Sequence, residues 1–197
     1  MKSSGGPGGG ASSSCSNPLL REHIAGRSPI LVFGQAATGK THLAVDMALC
    51  ARTIGMRPLI HAVENSTRVY LSHHDPGIPY TTPDTMDQLV EEATQASLEG
   101  MYQVVDTINT YYRSSPGMRL GSMMSYIMAL LRETGGVAVA QVAGSGLEAS
   151  GIQYLAPWAR LVLRLSRGPG GVFLVEVLKP KRRIYAFRVH GGRITWI

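Results

Sequence analysis

"FGQAATGKTH", Phe33 to His42, decides how the rest of the chain is read. Within it Gly34, Gln35, Ala36, Ala37, Thr38, Gly39, Lys40 and Thr41 have the spacing GxxxxGKT. The stretch lies between an apolar run, PILVFG at 29–34, and a segment of helical periodicity. Small residues let backbone amides curl around a phosphate, and the N-terminus of the following helix adds partial positive charge. On this reading residues Gly34 to His42 form a nucleotide-binding loop. Lys40 reaches the β- and γ-phosphates, and Thr41 places its hydroxyl on magnesium. ATP and Mg2+ are the cofactors that the motif requires.

Outward from the loop, strands and helices alternate. THLAVDMALCARTIG (41–55) spaces Leu43, Met47, Cys50 and Ile54 by three or four residues, an amphipathic helix closed by Gly55. PLIHAVE (58–64) reads as the next strand, HHDPGIPYTTPD (73–84) as a polar turn, and Met86 to Glu99 as a helix with Asp84 available as its cap. MYQVVD (101–106) and VAVAQV (137–142) are further strands, and MRLGSMMSYIMALLRETGG (118–136) a helix between them. Such alternation predicts a parallel sheet covered by helices. After residue 157 four strand-like runs follow one another, separated by RGPGG, PKR and HGG, which predicts an added antiparallel meander.

Three further side chains have the chemistry that a phosphate site needs. Asp106 ends an apolar strand, where a carboxylate can hold magnesium directly or through water. Glu64 ends the strand 58–64, where it can polarise a water for in-line attack; a plain surface glutamate is the alternative. Gln141 interrupts an otherwise apolar strand, and a buried amide there needs polar partners.

The 197 residues, 44% of them hydrophobic and 16% charged, suffice for one domain with a real core. The division expected is a disordered Gly/Ser-rich tail at 1–17 and a single domain at 18–197. The tail has no apolar core of the signal-peptide kind, and no run is long enough to cross a bilayer, so a cytoplasmic location is expected. Two cysteines, Cys15 and Cys50, are too few for a disulfide framework and fit a reducing compartment, with Cys50 a small core residue. Net charge is +6, but residues 157–197 have nine Lys or Arg against the single acid Glu176, so that segment is +8 and the remainder −2. A basic concentration of this kind points to a polyanion, with a solvated set of strand faces as the alternative.

Taken together these motifs resemble the RecA/RadA recombinase superfamily over about residues 30–197, in particular a short RadA paralogue of the archaeal type. FGQAATGKTHLAVDMAL resembles the family's Walker A segment and YQVVDTINTYYR its Walker B segment, with Asp106 in the acid position. LIHAVENSTRVYL resembles the strand bearing the catalytic glutamate, here Glu64. GVAVAQVAG resembles the strand ending in a γ-phosphate-sensing glutamine, here Gln141. The resemblance implies a RecA-like ATPase core acting with DNA, expected to be single-stranded, as an accessory in homologous recombination or repair. A recombinase or another repair protein would be its partner, its location nucleoid-associated, and its assembly weak or partner-dependent. Lys179 and Lys181 resemble a lysine pair that reaches a neighbouring subunit's nucleotide, and Arg182 and Arg183 continue that basic turn toward DNA. The loops after Asp106 and Gln141 are short where strand-exchange enzymes have long ones, so neither strand exchange nor filament formation is expected. A KaiC-like nucleotide-dependent regulator acting on a protein partner is the alternative. A small-molecule kinase fits less well, because no helical lid with clustered arginines is evident.

Overall fold

A computed structural model describes residues 15–143 and 148–197. Most of the expected tail, and residues 144–147 of the loop after Gln141, lie outside the described residues. The continuous apolar run at 29–34 becomes β1 (Pro29–Gly34), buried at every position. It pairs in parallel with β5 (Gly136–Gln141) on one side and β6 (Leu161–Arg167) on the other. Beyond β5, β4 (Tyr102–Asp106), β2 (Pro58–Ala62) and β3 (Tyr80–Thr81) continue the parallel arrangement. Beyond β6, β7 (Phe173–Lys179), β8 (Arg183–His190) and β9 (Arg193–Trp196) are antiparallel. The described residues thus form one nine-stranded sheet, ordered β3-β2-β4-β5-β1-β6-β7-β8-β9. The chain is α/β, with a mostly parallel, helix-flanked core and a C-terminal antiparallel meander, as the alternation of elements predicts.

Strand side chains point alternately to the two faces, so β1 divides its residues between two cores. Ile30 and Val32 pack with Leu43, Met47 and Cys50 of α2 (Lys40–Thr53) and with Leu20 and Ile24 of α1 (Pro18–Ala25). Leu31 and Phe33 face the other way, with Leu89 of α4 (Met86–Leu98), Met124 and Ile127 of α6 (Met118–Thr134), and Leu155 of α7 (Ile152–Leu155). Both faces of the central strands are covered, which is why those strands read as unbroken apolar runs.

Three expectations are corrected. The polar turn expected at 73–84 is in part helix and strand: α3 (Asn65–His74) runs into its start and β3 lies within it. Among α3 residues only Thr67 and Leu71 are buried, so its periodicity is too thin to read as a helix. The cap of α4 is Thr85, whose hydroxyl accepts from the Gln88 amide at 3.1 Å, because Asp84 is engaged 3.0 Å from Arg68. Cys15 and Cys50 are joined in a disulfide, their Cα atoms 4.7 Å apart. The Asn17 side chain accepts from the Leu19 and Leu20 amides and starts α1 against α2, which brings Cys15 back onto the helix that holds Cys50. That pairing removes the argument for a reducing compartment. Among the described residues no helix is long and apolar enough to cross a membrane.

Asp46, on α2, has its carboxyl pushed up to about 6 by burial. The folded chain therefore holds this proton more tightly than the unfolded one, and stability is lost as pH rises from about 4 through about 6. Asp46→Asn should raise the melting temperature at pH 8, by at most about 3 kcal/mol of stability, and leave it nearly unchanged at pH 4. Equal melting of variant and parent at both pH values would overturn this.

Candidate functional site

The loop from Gly34 to Thr41 leaves the C-terminal end of β1, and two of its glycines are sterically required. A Cβ on Gly34 would lie 2.4 Å from the Leu165 carbonyl oxygen, on β6 alongside. Gly39 has φ +84°, and a Cβ there would also lie 3.1 Å from the Phe173 ring. Phe173 stacks on Phe187 at 5.2 Å, so the antiparallel meander packs directly beneath the loop. Inside the loop the Gln35 carbonyl accepts from Thr38 Oγ1 at 2.9 Å and from Lys40 Nζ at 2.6 Å. Lys40 is 7% exposed. Burial lowers its pKa, while Asp106 and Glu64 draw it back up and Arg113 opposes them.

Asp106 ends β4 and is 2% exposed. Its Oδ2 accepts from Thr41 Oγ1 at 2.7 Å and from Thr67 Oγ1 at 3.0 Å, and its Oδ1 from Thr107 Oγ1 at 2.9 Å. Burial pushes this carboxyl up; the three hydroxyls pull it down, and the nearby Glu64 adds to the upward push. Glu64 occupies the N-cap position of α3 and not the end of β2, which stops at Ala62. Its Oε1 is 2.5 Å from Arg113 Nη2 and accepts from Thr110 Oγ1 at 3.2 Å; both residues belong to α5 (Thr110–Ser114). Among the described residues its Oε2 has only Ser66 Oγ, at 3.4 Å. Gln141 is held by its backbone, the fully buried Asn109 accepting from its N–H and donating to its carbonyl, both at 2.9 Å.

These groups converge on one cavity of about 530 Å³, lined by residues Ala36 to His42 with Glu64, Asp106 and Gln141. Gly34 and Gln35 line a neighbouring cavity of about 400 Å³, which shares Ala36, Thr38 and Arg167 with the first. Tyr70, Arg167 and Phe173, which no local sequence pattern singles out, also form the wall of the larger cavity. The same is true of Arg113 and Asn109, which hold Glu64 and Gln141. His42 and Tyr70 meet edge to face at 4.8 Å, placing aromatic surface beside the helix N-terminus. Among the described residues no group of three or more His, Cys, Asp or Glu is placed to hold a metal. The oxygens of Thr41 and Asp106 form a hard-donor pair at the cavity that suits magnesium, with the remaining ligands left to water or phosphate oxygens.

The basic turn lies apart, none of its four residues lining this cavity. Lys179 Nζ donates to the Ala159 carbonyl at 2.6 Å. Arg182 pairs with Glu176 at 2.5 Å, and Arg164 pairs with the same carboxylate. Lys181 and Arg183 are exposed. No protein-family model and no curated protein sequence matches the chain.

Because Gly39 combines a left-handed backbone with a ring closer to an added Cβ than van der Waals contact allows, Gly39→Ala should destabilise the fold by about 1–3 kcal/mol. Thermal melting checks this. A variant as stable as the parent would mean that the loop relaxes freely away from Phe173.

Proposed function

We propose that the chain is a RecA-like ATPase core that acts with single-stranded DNA as an accessory of recombination or repair, without strand exchange of its own. One observation carries the nucleotide part of this reading. Lys40, Thr41, Glu64, Asp106 and Gln141, drawn from separate parts of the chain, line one cavity at the C-terminal ends of parallel strands. That is where open α/β sheets bind their ligands.

The chemistry follows from the side chains. On nucleotide binding, Lys40 Nζ exchanges the Gln35 carbonyl for phosphate oxygens. Thr41 and Asp106 would hold magnesium, which neutralises charge on the phosphates. Glu64 Oε1 is committed to Arg113 and Thr110, so Oε2 is the oxygen that can accept a proton from attacking water. Gln141, its backbone fixed by Asn109, lines the same cavity, where its amide would meet the γ-phosphate. The excess of Lys and Arg in residues 157–197 supports the DNA part, since binding to phosphates needs cations. Nucleoid association and weak or partner-dependent assembly complete the reading. With Lys179 tied to its own chain, Lys181 is the better candidate for a role across subunits.

A second reading, a KaiC-like regulator of a protein partner, has its own support. Glu176 pairs with two of the arginines and offsets one of their charges, and Leu178, Ile184 and Ile197 are 41%, 68% and 72% exposed toward the C-terminal end. Apolar side chains of this size beside fewer free cations suit a protein surface better than a phosphate backbone.

Two measurements test the reading. Lys40→Ala should abolish ATP turnover, whereas Glu64→Gln should retain ATP binding and slow hydrolysis by about 10²-fold or more. If Glu64→Gln loses binding and hydrolysis together, Glu64 is structural. Binding to single-stranded DNA should weaken with salt. Replacing Lys181 and Arg183 with Ala should reduce the log–log salt slope by about 0.7 for each phosphate that these side chains neutralise. An unchanged slope, or salt-independent binding, would favour the protein-partner reading.

A further inference from the structure

Arg167 has no part in the mechanism above, yet its position is unusual. It is the last residue of β6, two beyond Leu165, which pairs with Gly34 from one side. Gln141 pairs with Gly34 from the other side, through β5. The loop that leaves Gly34 is therefore flanked by an amide on one neighbouring strand and a guanidinium on the other. Arg167 is exposed, and it reaches across to the loop: its Nε donates to the Ala37 carbonyl at 2.7 Å, in the middle of the loop. Ala37 itself has φ +59°, a conformation that an L-residue rarely adopts without support. The guanidinium carbon lies 5.9 Å from the centre of the Phe173 ring, the ring that packs against Gly39.

A tether needs one donor, and Nε supplies it. The two terminal nitrogens have no hydrogen-bond partner among the described residues, and Arg167 lines both the cavity that holds Lys40 and Gln141 and the neighbouring one. The neighbouring Arg164 is spent on Glu176, but Arg167 has no carboxylate partner among the described residues. A guanidinium held at Nε with its planar fork free is suited to bidentate contact with phosphate oxygens.

We propose that Arg167 is a specificity-determining residue of the nucleotide site, supplied by the chain itself, that contacts the phosphate chain and sets its preference for triphosphate over diphosphate. This inference rests on the nucleotide-binding reading. A charge-assisted hydrogen bond to a phosphate contributes enough to change affinity about tenfold.

The test is calorimetric titration of the full-length chain with ATP and with ADP, each with magnesium, for the parent, Arg167→Ala and Arg167→Lys. Arg167→Ala should weaken ATP about tenfold and ADP less than about threefold, so that the ratio of the two affinities collapses. Arg167→Lys, which keeps the charge without the planar fork, should fall between. Equal losses for ATP and ADP would show that Arg167 only tethers Ala37, and no loss for either would remove it from the site; each result overturns the proposal. Should Arg167→Ala fail to fold, the ATP-to-ADP ratio of Arg167→Lys decides, an unchanged ratio counting against the proposal. If the parent binds neither nucleotide, the nucleotide reading fails and this inference with it. If the parent binds both and the variants keep its ratio, only this inference fails.

Discussion

A carboxylate buried at the end of β4 is the constraint on which the site depends. An ionised group without partners costs several kcal/mol at that depth. Asp106 has three hydroxyl donors, and they come from three places: Thr41 at the first turn of α2, Thr67 in α3, and Thr107 beside it in the chain. Satisfying one carboxylate therefore fixes how α2 and α3 sit against the sheet. It also fixes the loop, because Thr41 follows Lys40 and Gly39 directly. The same geometry places a carboxylate and a hydroxyl at one cavity, so what stabilises the end of β4 also prepares the oxygen pair that the proposed reading gives to magnesium.

The loop is constrained from below as well. A Cβ on Gly39 would lie 3.1 Å from the Phe173 ring and 3.2 Å from that of Phe187, so the rings would have to give way, and the Leu165 carbonyl leaves no room for one on Gly34. This packing joins the antiparallel meander to the glycine-rich loop, so a ligand that displaces β7 or β8 must also disturb the loop. Glu64 and Gln141 are held from the opposite direction, by Arg113 and Asn109 in the turn and short helix after Asp106. The stretch 106–113 thus supplies the carboxylate proposed for magnesium and positions both the glutamate and the glutamine that the proposed chemistry uses.

How much of this is legible in the sequence depends on how local the signal is. β1 is an unbroken apolar run because both its faces are covered, and β4 and β5 are largely apolar runs containing Gln103 and Gln141; such runs need no tertiary information to be seen. The glycine-rich loop is legible for the same reason, its spacing lying within eight residues. α3 is not, since a helix with two buried residues has almost no periodicity, and Glu64 consequently reads as a strand end when it caps that helix. The Cys15–Cys50 pairing depends on α1 folding back onto α2, which the two cysteines alone do not encode. Arg167 is invisible for the strongest reason. Its neighbour in space is 130 residues away in sequence, and only the strand order, β6 beside β1, brings them together.

That same strand order arranges charge in a way that composition conceals. Residues 75–112 have seven acids and no Lys or Arg, and they build β3, α4 and β4 at one end of the sheet. Residues 157–197, with a net charge of +8, build β6 to β9 at the other end. The cavity opens between the two, at β1. Asp84 and Asp87 at the acidic end are paired with Arg68 and Arg119, so it is chiefly the basic end that steers an approaching polyanion, over distances of about 10 Å at ordinary salt. A nucleotide entering the cavity meets the same gradient at closer range, with Lys40 and Arg167 on its walls and the acids Glu64 and Asp106 compensated by Arg113 and by hydroxyl donors. The lateral separation of charge therefore orders the two binding events proposed here along one axis, anionic ligand in the middle and anionic polymer at the basic end. Arg167, at the junction of β6 with the loop, is the cation closest to belonging to both.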